Sequence, residues 1–298
     1  MRDERSLDAL LDVSPLREGA WRFEVPDGWQ QGRGAFGGMV LGAMLLGRAL
    51  TMAVTWLMAW RHPSAAPPLR AGQWLAMVLR EYGAFVRGFV LVQPWVWLGM
   101  PADRLRASAQ PMLLVHGYGC NRGIWWWLRP RLEAAGHVVA TISLEPPWGG
   151  IDGFAEQLHA RIEAVCAATG APRVTLVAHS MGGLVSRAYL ARHGDARVAR
   201  LISIASPHGG SQLARLGLGT CARQMTPGSP WLTRLAAQRV TVPFVSVRTP
   251  QDNFVMPQNL QRHPDARDEP LPGVGHLAAL CDARVLQLVL AHASLEKQ

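Results

Sequence analysis

Val174-Thr175-Leu176-Val177-Ala178-His179-Ser180-Met181-Gly182-Gly183-Leu184 is an apolar, β-branched run that stops at a serine set among small residues. It reads as a strand, a sharp turn and a helix, with Ser180 at the apex. Ala178 and Gly182, two positions before and two after, leave room where the chain doubles back on itself. The turn lifts the Ser180 hydroxyl clear of the sheet. Helical N–H groups beginning at Met181 carry partial positive charge and lie beside any oxyanion formed there.

A serine is a weak nucleophile until a base takes its proton and a third group orients that base. Both residue types follow downstream. Val240 to Val247 reads as a buried strand running into Arg248-Thr249-Pro250-Gln251-Asp252, so Asp252 sits in a loop at a strand's C-terminal end. Gly273-Val274-Gly275-His276-Leu277 puts a histidine after two glycines and ahead of an apolar helical run. Should Asp252 not be the acid, Asp265 and Asp282 are the next candidates. Upstream, the apolar strand Pro111-Met112-Leu113-Leu114-Val115 ends in His116-Gly117-Tyr118-Gly119.

These four stretches, in this order, resemble the α/β-hydrolase superfamily and, within it, the bacterial lipases and esterases. The resemblance covers about residues 108–293 and extends to Ser206-Pro207-His208-Gly209-Gly210 and Met225-Thr226-Pro227-Gly228-Ser229-Pro230-Trp231-Leu232. It implies an α/β-hydrolase fold, a mostly parallel sheet with helices on both faces. It also implies Ser180 as nucleophile, His276 as base, Asp252 as its orienting acid, and the N–H groups of Tyr118 and Met181 as an oxyanion hole. The expected chemistry is hydrolysis of carboxylic esters, with an ester or lipid substrate and with no cofactor and no metal. Two readings stay open beside it: acyl transfer through the same triad, and a membrane-tethered binding protein that keeps a non-catalytic hydrolase fold. An aspartate at the elbow would instead have pointed to a dehalogenase or an epoxide hydrolase.

From Pro111 onward, apolar strands alternate with helices, as a parallel sheet covered on both faces requires. Strands are expected near 111–116, 137–143, 173–179, 199–205 and 241–247, and helices near 124–135, 152–168, 181–193 and 277–293. Trp125-Trp126-Trp127 and Trp148 are candidates for the walls of an acyl pocket or for packing under the sheet. Gly209 to Arg239 occupies the place of a cap or lid.

At 298 residues, 49% of them hydrophobic, the chain can bury a substantial core. The net charge of +9 comes almost wholly from scattered arginines, with Lys297 the only lysine. No basic run is interleaved with aromatics, so nucleic acid is not an expected partner. A weak attraction to anionic lipid surfaces stays open as a reading. The four cysteines, Cys120, Cys166, Cys221 and Cys281, form no C-x-x-C pair and specify neither zinc nor a disulfide framework. Cys120 is expected to be a small buried residue.

The chain before Pro111 divides into 1–60 and 61–107, ahead of a catalytic domain at 108–298. The acidic residues Asp3, Glu4 and Asp8 argue against a signal peptide at the start. Around Trp29 to Gly38 the sequence resembles the N-terminal part of hotdog-fold acyl-CoA thioesterases. That likeness covers only about the first 50 residues, too few for the fold, so no thioesterase activity is carried over. The segment is expected to be dispensable for the chemistry. Met39 to Trp60 is mostly apolar and long enough, at about 1.5 Å per residue, to span a bilayer core. Arg48 near its middle costs about 2.5–3.5 kcal/mol on the insertion scale, so a membrane span and a helix packed on the hydrolase are both open. The flanking arginines, Arg33 against Arg61, Arg70 and Arg80, leave topology unassigned. Arg61 to Ala71 reads as a proline-rich linker that few contacts should cross. Gln73 to Met100 reads as an amphipathic or re-entrant membrane element, or as a helix and strand over the sheet edge. The overall expectation is a membrane-associated protein of unassigned oligomeric state.

Overall fold

The computed structural model of the chain describes residues 27–293. The first half of the thioesterase-like stretch, residues 1–26, lies outside the described residues. Six strands form one sheet: β1 (Met112–Val115), β2 (Val139–Thr141), β3 (Val174–His179), β4 (Val198–Ile204), β5 (Phe244–Arg248) and β6 (Arg267–Pro270). Every neighbouring pair is parallel, in the order β2-β1-β3-β4-β5-β6. The order reverses between β1 and β3, and a crevice opens beyond the C-terminal ends of strands at such a point. His116 follows β1 and Ser180 follows β3, so both lie at that crevice.

Two apolar layers sandwich the sheet. On β1 the alternation of side chains sends Leu113 and Val115 to one face and Met112 and Leu114 to the other. The first layer takes Phe154, Leu158 and Ile162 from a helix at Ile151–Thr169 and Leu184, Val185 and Ala188 from one at Met181–His193. The second takes Leu128 and Leu132 from Leu128–Ala134 and Val285 and Val289 from Ala283–Ala293. The region expected as a cap contains a turn at Gln212–Leu216 and short helices at Gly219–Gln224 and Pro230–Ala236.

β6 was not among the expected strands. Its residues, Arg267-Asp268-Glu269-Pro270, lack apolar alternation, and it is tied to β5 by Arg248, whose Nε and Nη2 donate to the Asp268 carboxylate at 2.7 and 2.9 Å. β2 is shorter than expected. Its edge is covered by Asp103, which accepts from Thr141 N–H at 2.8 Å and pairs with Arg129 at 3.0 Å and Arg161 at 2.6 Å.

The compact unit that contains the sheet begins at Arg48, inside the helix α1 (Asp27–Arg61). From Arg48 onward, α1 buries Met52, Thr55 and Ala59, a stripe at helical spacing, and exposes Leu50, Val54, Leu57 and Trp60. Met52 joins Phe85 and Leu277 in a small apolar cluster. Asn253 Nδ2 donates to Thr55 Oγ1 at 2.9 Å, next to Asp252 in sequence. The Arg61–Ala71 stretch is not free of contacts: Ser64 binds the Gln258 side chain at 3.0 Å, and Gln251 donates to the Pro67 carbonyl at 2.7 Å. Residues 71–99 contain no strand. They form α2 (Ala71–Val86), a π-helical turn at Arg87–Val92 and two short turns at Gln93–Trp95 and Val96–Gly99. α2 packs beneath the His276 loop rather than on the sheet edge. Gly42–Arg61, with mean hydropathy 1.4, is the one helix among the described residues long and apolar enough to cross a membrane by length and composition.

These contacts change the expectation for the N-terminal part. A chain beginning at Ser64 loses the Met52 packing and the Thr55 acceptor, and should unfold at a lower temperature than one beginning at Arg48. Thr55→Val alone leaves the buried Asn253 amide without its acceptor and should cost about 1–3 kcal/mol in urea unfolding. Equal stability of the variant and the parent would contradict this packing.

Candidate active site

Ser180 joins β3 to the helix Met181–His193 with φ 53° and ψ −125°. A non-glycine residue in that region costs about 1–3 kcal/mol, and its surroundings hold it there. Ser180 N–H donates to the Ile204 carbonyl at 2.9 Å, and Gly183 N–H donates to the Ser180 carbonyl at 3.0 Å. A Cβ at Gly182 would lie 2.3 Å from the Val115 carbonyl oxygen, so only glycine lets the new helix pass so close to β1. Ala178 is fully buried in β3, as the tight turn requires.

Asp252 and His276 meet. His276 Nδ1 is 2.9 Å from Asp252 Oδ2, and both side chains are buried. Thr249 Oγ1 donates to the same oxygen. Oδ1 accepts the N–H groups of Phe254 and Val255 at 2.7 and 2.8 Å. The carboxylate therefore has fixed donors on both oxygens, and an Nδ1–H tautomer leaves Nε2 of His276 as the free base. Burial works against the charged imidazole, but the Asp252 charge and hydrogen bond and the Glu81 charge outweigh it, and the pKa of His276 is raised. The Phe254 ring stacks on His276 at 5.0 Å. The main chain of His276 is anchored beside the elbow: its carbonyl lies 3.2 Å from Nε2 of His179, the residue before Ser180. The two fallback acids are engaged elsewhere. Asp265 accepts Val240 N–H and pairs with Arg239, and Asp282 pairs with Arg284.

Gly117 comes against Ser180 from β1, since a Cβ there would lie 2.8 Å from Ser180 Cβ. Tyr118 follows it in the same loop, and Met181 is the first helical residue after Ser180. The loop is held from two directions. His116 Nδ1 lies 2.8 Å from the Gly117 carbonyl, and its Nε2 accepts Leu144 N–H at 2.9 Å. Burial pulls His116 down to about 4, so it is a neutral strut. Farther along, Gln93 accepts Asn121 N–H at 2.7 Å.

Ser180 opens into a cavity of about 320 Å³ whose lining is mostly apolar: Val54, Pro207, Leu213, Leu216, Leu218, Met225, Phe254 and Val255, with Thr51, Thr55 and Tyr118. Leu213 to Met225 come from the region expected as a cap. Tyr118 Oη pins that region by bonding both the carbonyl and the N–H of Leu218 at 2.9 Å. None of the four tryptophans considered as walls lines this cavity. Trp125 is fully buried, Arg87 lies over Trp126, Arg131 lies over Trp127, and Trp148 is exposed. A larger cavity of about 570 Å³ lies behind the His276 loop, lined by Arg80, Arg87, Trp126, Trp127 and Cys281. Its thiol is pushed up to about 11 by burial, which makes it a poor nucleophile. Cys120 is buried, as expected. Among the described residues, no three His, Cys, Asp or Glu side chains converge on a metal-sized site.

Sequence reasoning passed over Thr249, Asn253 and Glu81. Thr249 and Asn253 flank Asp252 in sequence and carry no pattern of their own. Glu81 had a signal: a lone carboxylate at four-residue spacing between Met77 and Phe85 on an apolar stripe must be either lipid-exposed or buried with donors.

Residues 110–248 match a family model described as the alpha/beta hydrolase fold. Over 121 residues the chain is 38% identical to a triacylglycerol lipase of Pseudarthrobacter phenanthrenivorans, covering 38% of each chain. It is equally identical, over the same length, to a triacylglycerol lipase of Burkholderia plantarii, covering 38% of this chain and 34% of that one. The chain thus spans little more than a third of the length of these relatives. Among solved structures, the mature form of the lipase BlEst2 of Bacillus licheniformis is similar with a TM-score of 0.59 at 18% identity, over 66% of this chain and 97% of that one. With its parallel sheet reversing at β1 and β3 and its serine turn at that reversal, the chain has an α/β-hydrolase fold, and over residues 110–248 it is similar to the family described by that fold.

Proposed function

We propose that the protein is a serine hydrolase of carboxylic esters, acting on lipidic acyl esters through an acyl-enzyme. The observation that carries this reading is the Ser180 turn opening into an apolar cavity beside a buried Asp252–His276 pair. Ser180 Oγ attacks the ester carbonyl as His276 Nε2 takes its proton. Asp252 fixes the imidazole tautomer and stabilises the imidazolium. The N–H groups of Tyr118 and Met181 receive the oxyanion, aided by the dipole of the helix that starts at Met181. His276 then protonates the leaving alcohol, and water, deprotonated by the same imidazole, releases the acid. An alcohol in place of water would make this acyl transfer, but the lipase names of the relatives favour hydrolysis. A non-catalytic role is disfavoured by the strained turn, which a binding scaffold has no need to maintain.

The cavity supports an acyl chain as its occupant, with Leu213, Leu216 and Leu218 as contacts. Leu216 and Leu218 are 62% and 78% exposed at its rim, an arrangement suited to drawing chains from a lipid surface. The exposed residues Leu50, Leu57 and Trp60 of α1, with the net positive charge, support association with anionic membranes.

On p-nitrophenyl esters of increasing chain length, turnover should depend on Ser180. Ser180→Ala should lower kcat at least about 10⁴-fold, and Asp252→Asn by about 10⁴, both with unchanged circular dichroism. Retained activity in Ser180→Ala would remove the assignment. In flotation with vesicles containing anionic lipid, the protein should rise with the vesicles and stay bound at high salt, because buried apolar contacts are not screened. Full recovery in the vesicle-free fraction would contradict the membrane association.

A further inference from the structure

Glu81 stands in the middle of the buried stripe of α2, one turn after Met77 and one turn before Phe85, with no exposed surface. A carboxylate among apolar side chains needs donors. They come from the turn that carries His276. Leu277 N–H donates to both oxygens of Glu81, at 2.9 and 3.0 Å, and Ala278 N–H donates to Oε2 at 2.8 Å. Gly275 makes the space for this, since a Cβ there would lie 2.5 Å from Glu81 Oε2. The helix that supplies Glu81 lies outside residues 110–248, the part matched by the alpha/beta hydrolase family model.

Resting on the function proposed above, we propose that Glu81 is a positioning residue for His276, a second acid that holds the 276–278 turn and favours the imidazolium formed as Ser180 loses its proton. Asp252 holds the ring of His276, and Glu81 holds the main chain that carries the ring. The two carboxylates share the one histidine. Burial pushes Glu81 up to about 7, the Leu277 and Ala278 N–H groups and the His276 charge oppose that rise, and Asp252 adds to it. Glu81 and His276 thus titrate as a pair. The other groups facing them are Cys281 on the following turn and His179 at the end of β3. A charge on Glu81 is favoured when His276 is charged, which is the state His276 enters during acylation.

Glu81→Gln keeps the shape of the side chain and removes its charge. Removing a negative charge destabilises the imidazolium, so the pKa of His276 falls and the acidic limb of kcat/KM moves to lower pH. The expected shift is about half a unit or more, with plateau turnover reduced roughly tenfold. Glu81→Asp, which retains the charge, should return the limb toward the parent position. An unmoved limb and an unchanged His276 titration by NMR in Glu81→Gln would overturn the proposal, even if the variant is less stable. Where Glu81→Gln does not fold, the parent protein decides: the His276 ring signals should show a second inflection at the midpoint of the Glu81 carboxyl carbon, and a single inflection would overturn the proposal. The NMR titration needs no substrate. Absence of Ser180-dependent ester turnover would therefore sink the hydrolase reading, while the titration still judges the Glu81–His276 coupling.

Discussion

The close passage of backbone at the Ser180 turn is the constraint from which the rest of the site follows. β3 ends, the chain reverses at a residue with positive φ, and the new helix runs within contact distance of the carbonyls at the end of β1. Such a passage is possible only where Gly182 faces Val115 and Gly117 faces Ser180. Its strain is held by the Ile204 carbonyl of β4, so the central three strands and the turn are one unit. The backbone at the serine is fixed in place, and the loop after β1 is held close against it.

Around that fixed point, the remaining parts are held by buried polar contacts. Thr249 and two backbone N–H groups orient Asp252, which orients His276, while His179 and Glu81 secure the main chain of the same histidine. Each of these side chains makes at least one hydrogen bond, as low dielectric surroundings demand, and among their buried polar atoms only Nδ1 of His179 is left without one. The part of the chain between Arg48 and Gln93 supplies three of the supports, through Thr55, Glu81 and Gln93. It is thus packed into the same compact unit as the sheet, with apolar residues exposed on its outer face.

The strand-turn-helix at Ser180 and the loops that bring Asp252 and His276 together could be placed from the sequence because each is local: a strand signal followed by glycines or by one chemically distinctive residue. Strands β1 to β5 were legible for the same reason, as apolar runs. β6 was not, because Arg267 to Pro270 pairs through an ion pair and backbone register rather than through apolar side chains. The apolar segments before Pro111 have a composition that fits lipid and protein interiors equally well. Only the long-range contacts of Thr55, Glu81 and Gln93 reveal which faces are taken. The tryptophans stayed open between pocket walls and packing under the sheet because aromatic composition does not specify which side of the sheet a side chain enters, and Trp125 proves to be fully buried. The aliphatic cap residues that line the cavity instead carry no distinctive pattern.

The most direct measurement of the central claim is covalent labelling of the intact protein with a fluorophosphonate, followed by peptide mass mapping. A phosphonyl adduct of one equivalent on Ser180, formed with the pH dependence of a neutral imidazole base, is the result this account predicts. No adduct, or an adduct on another residue with Ser180 unmodified, would contradict it.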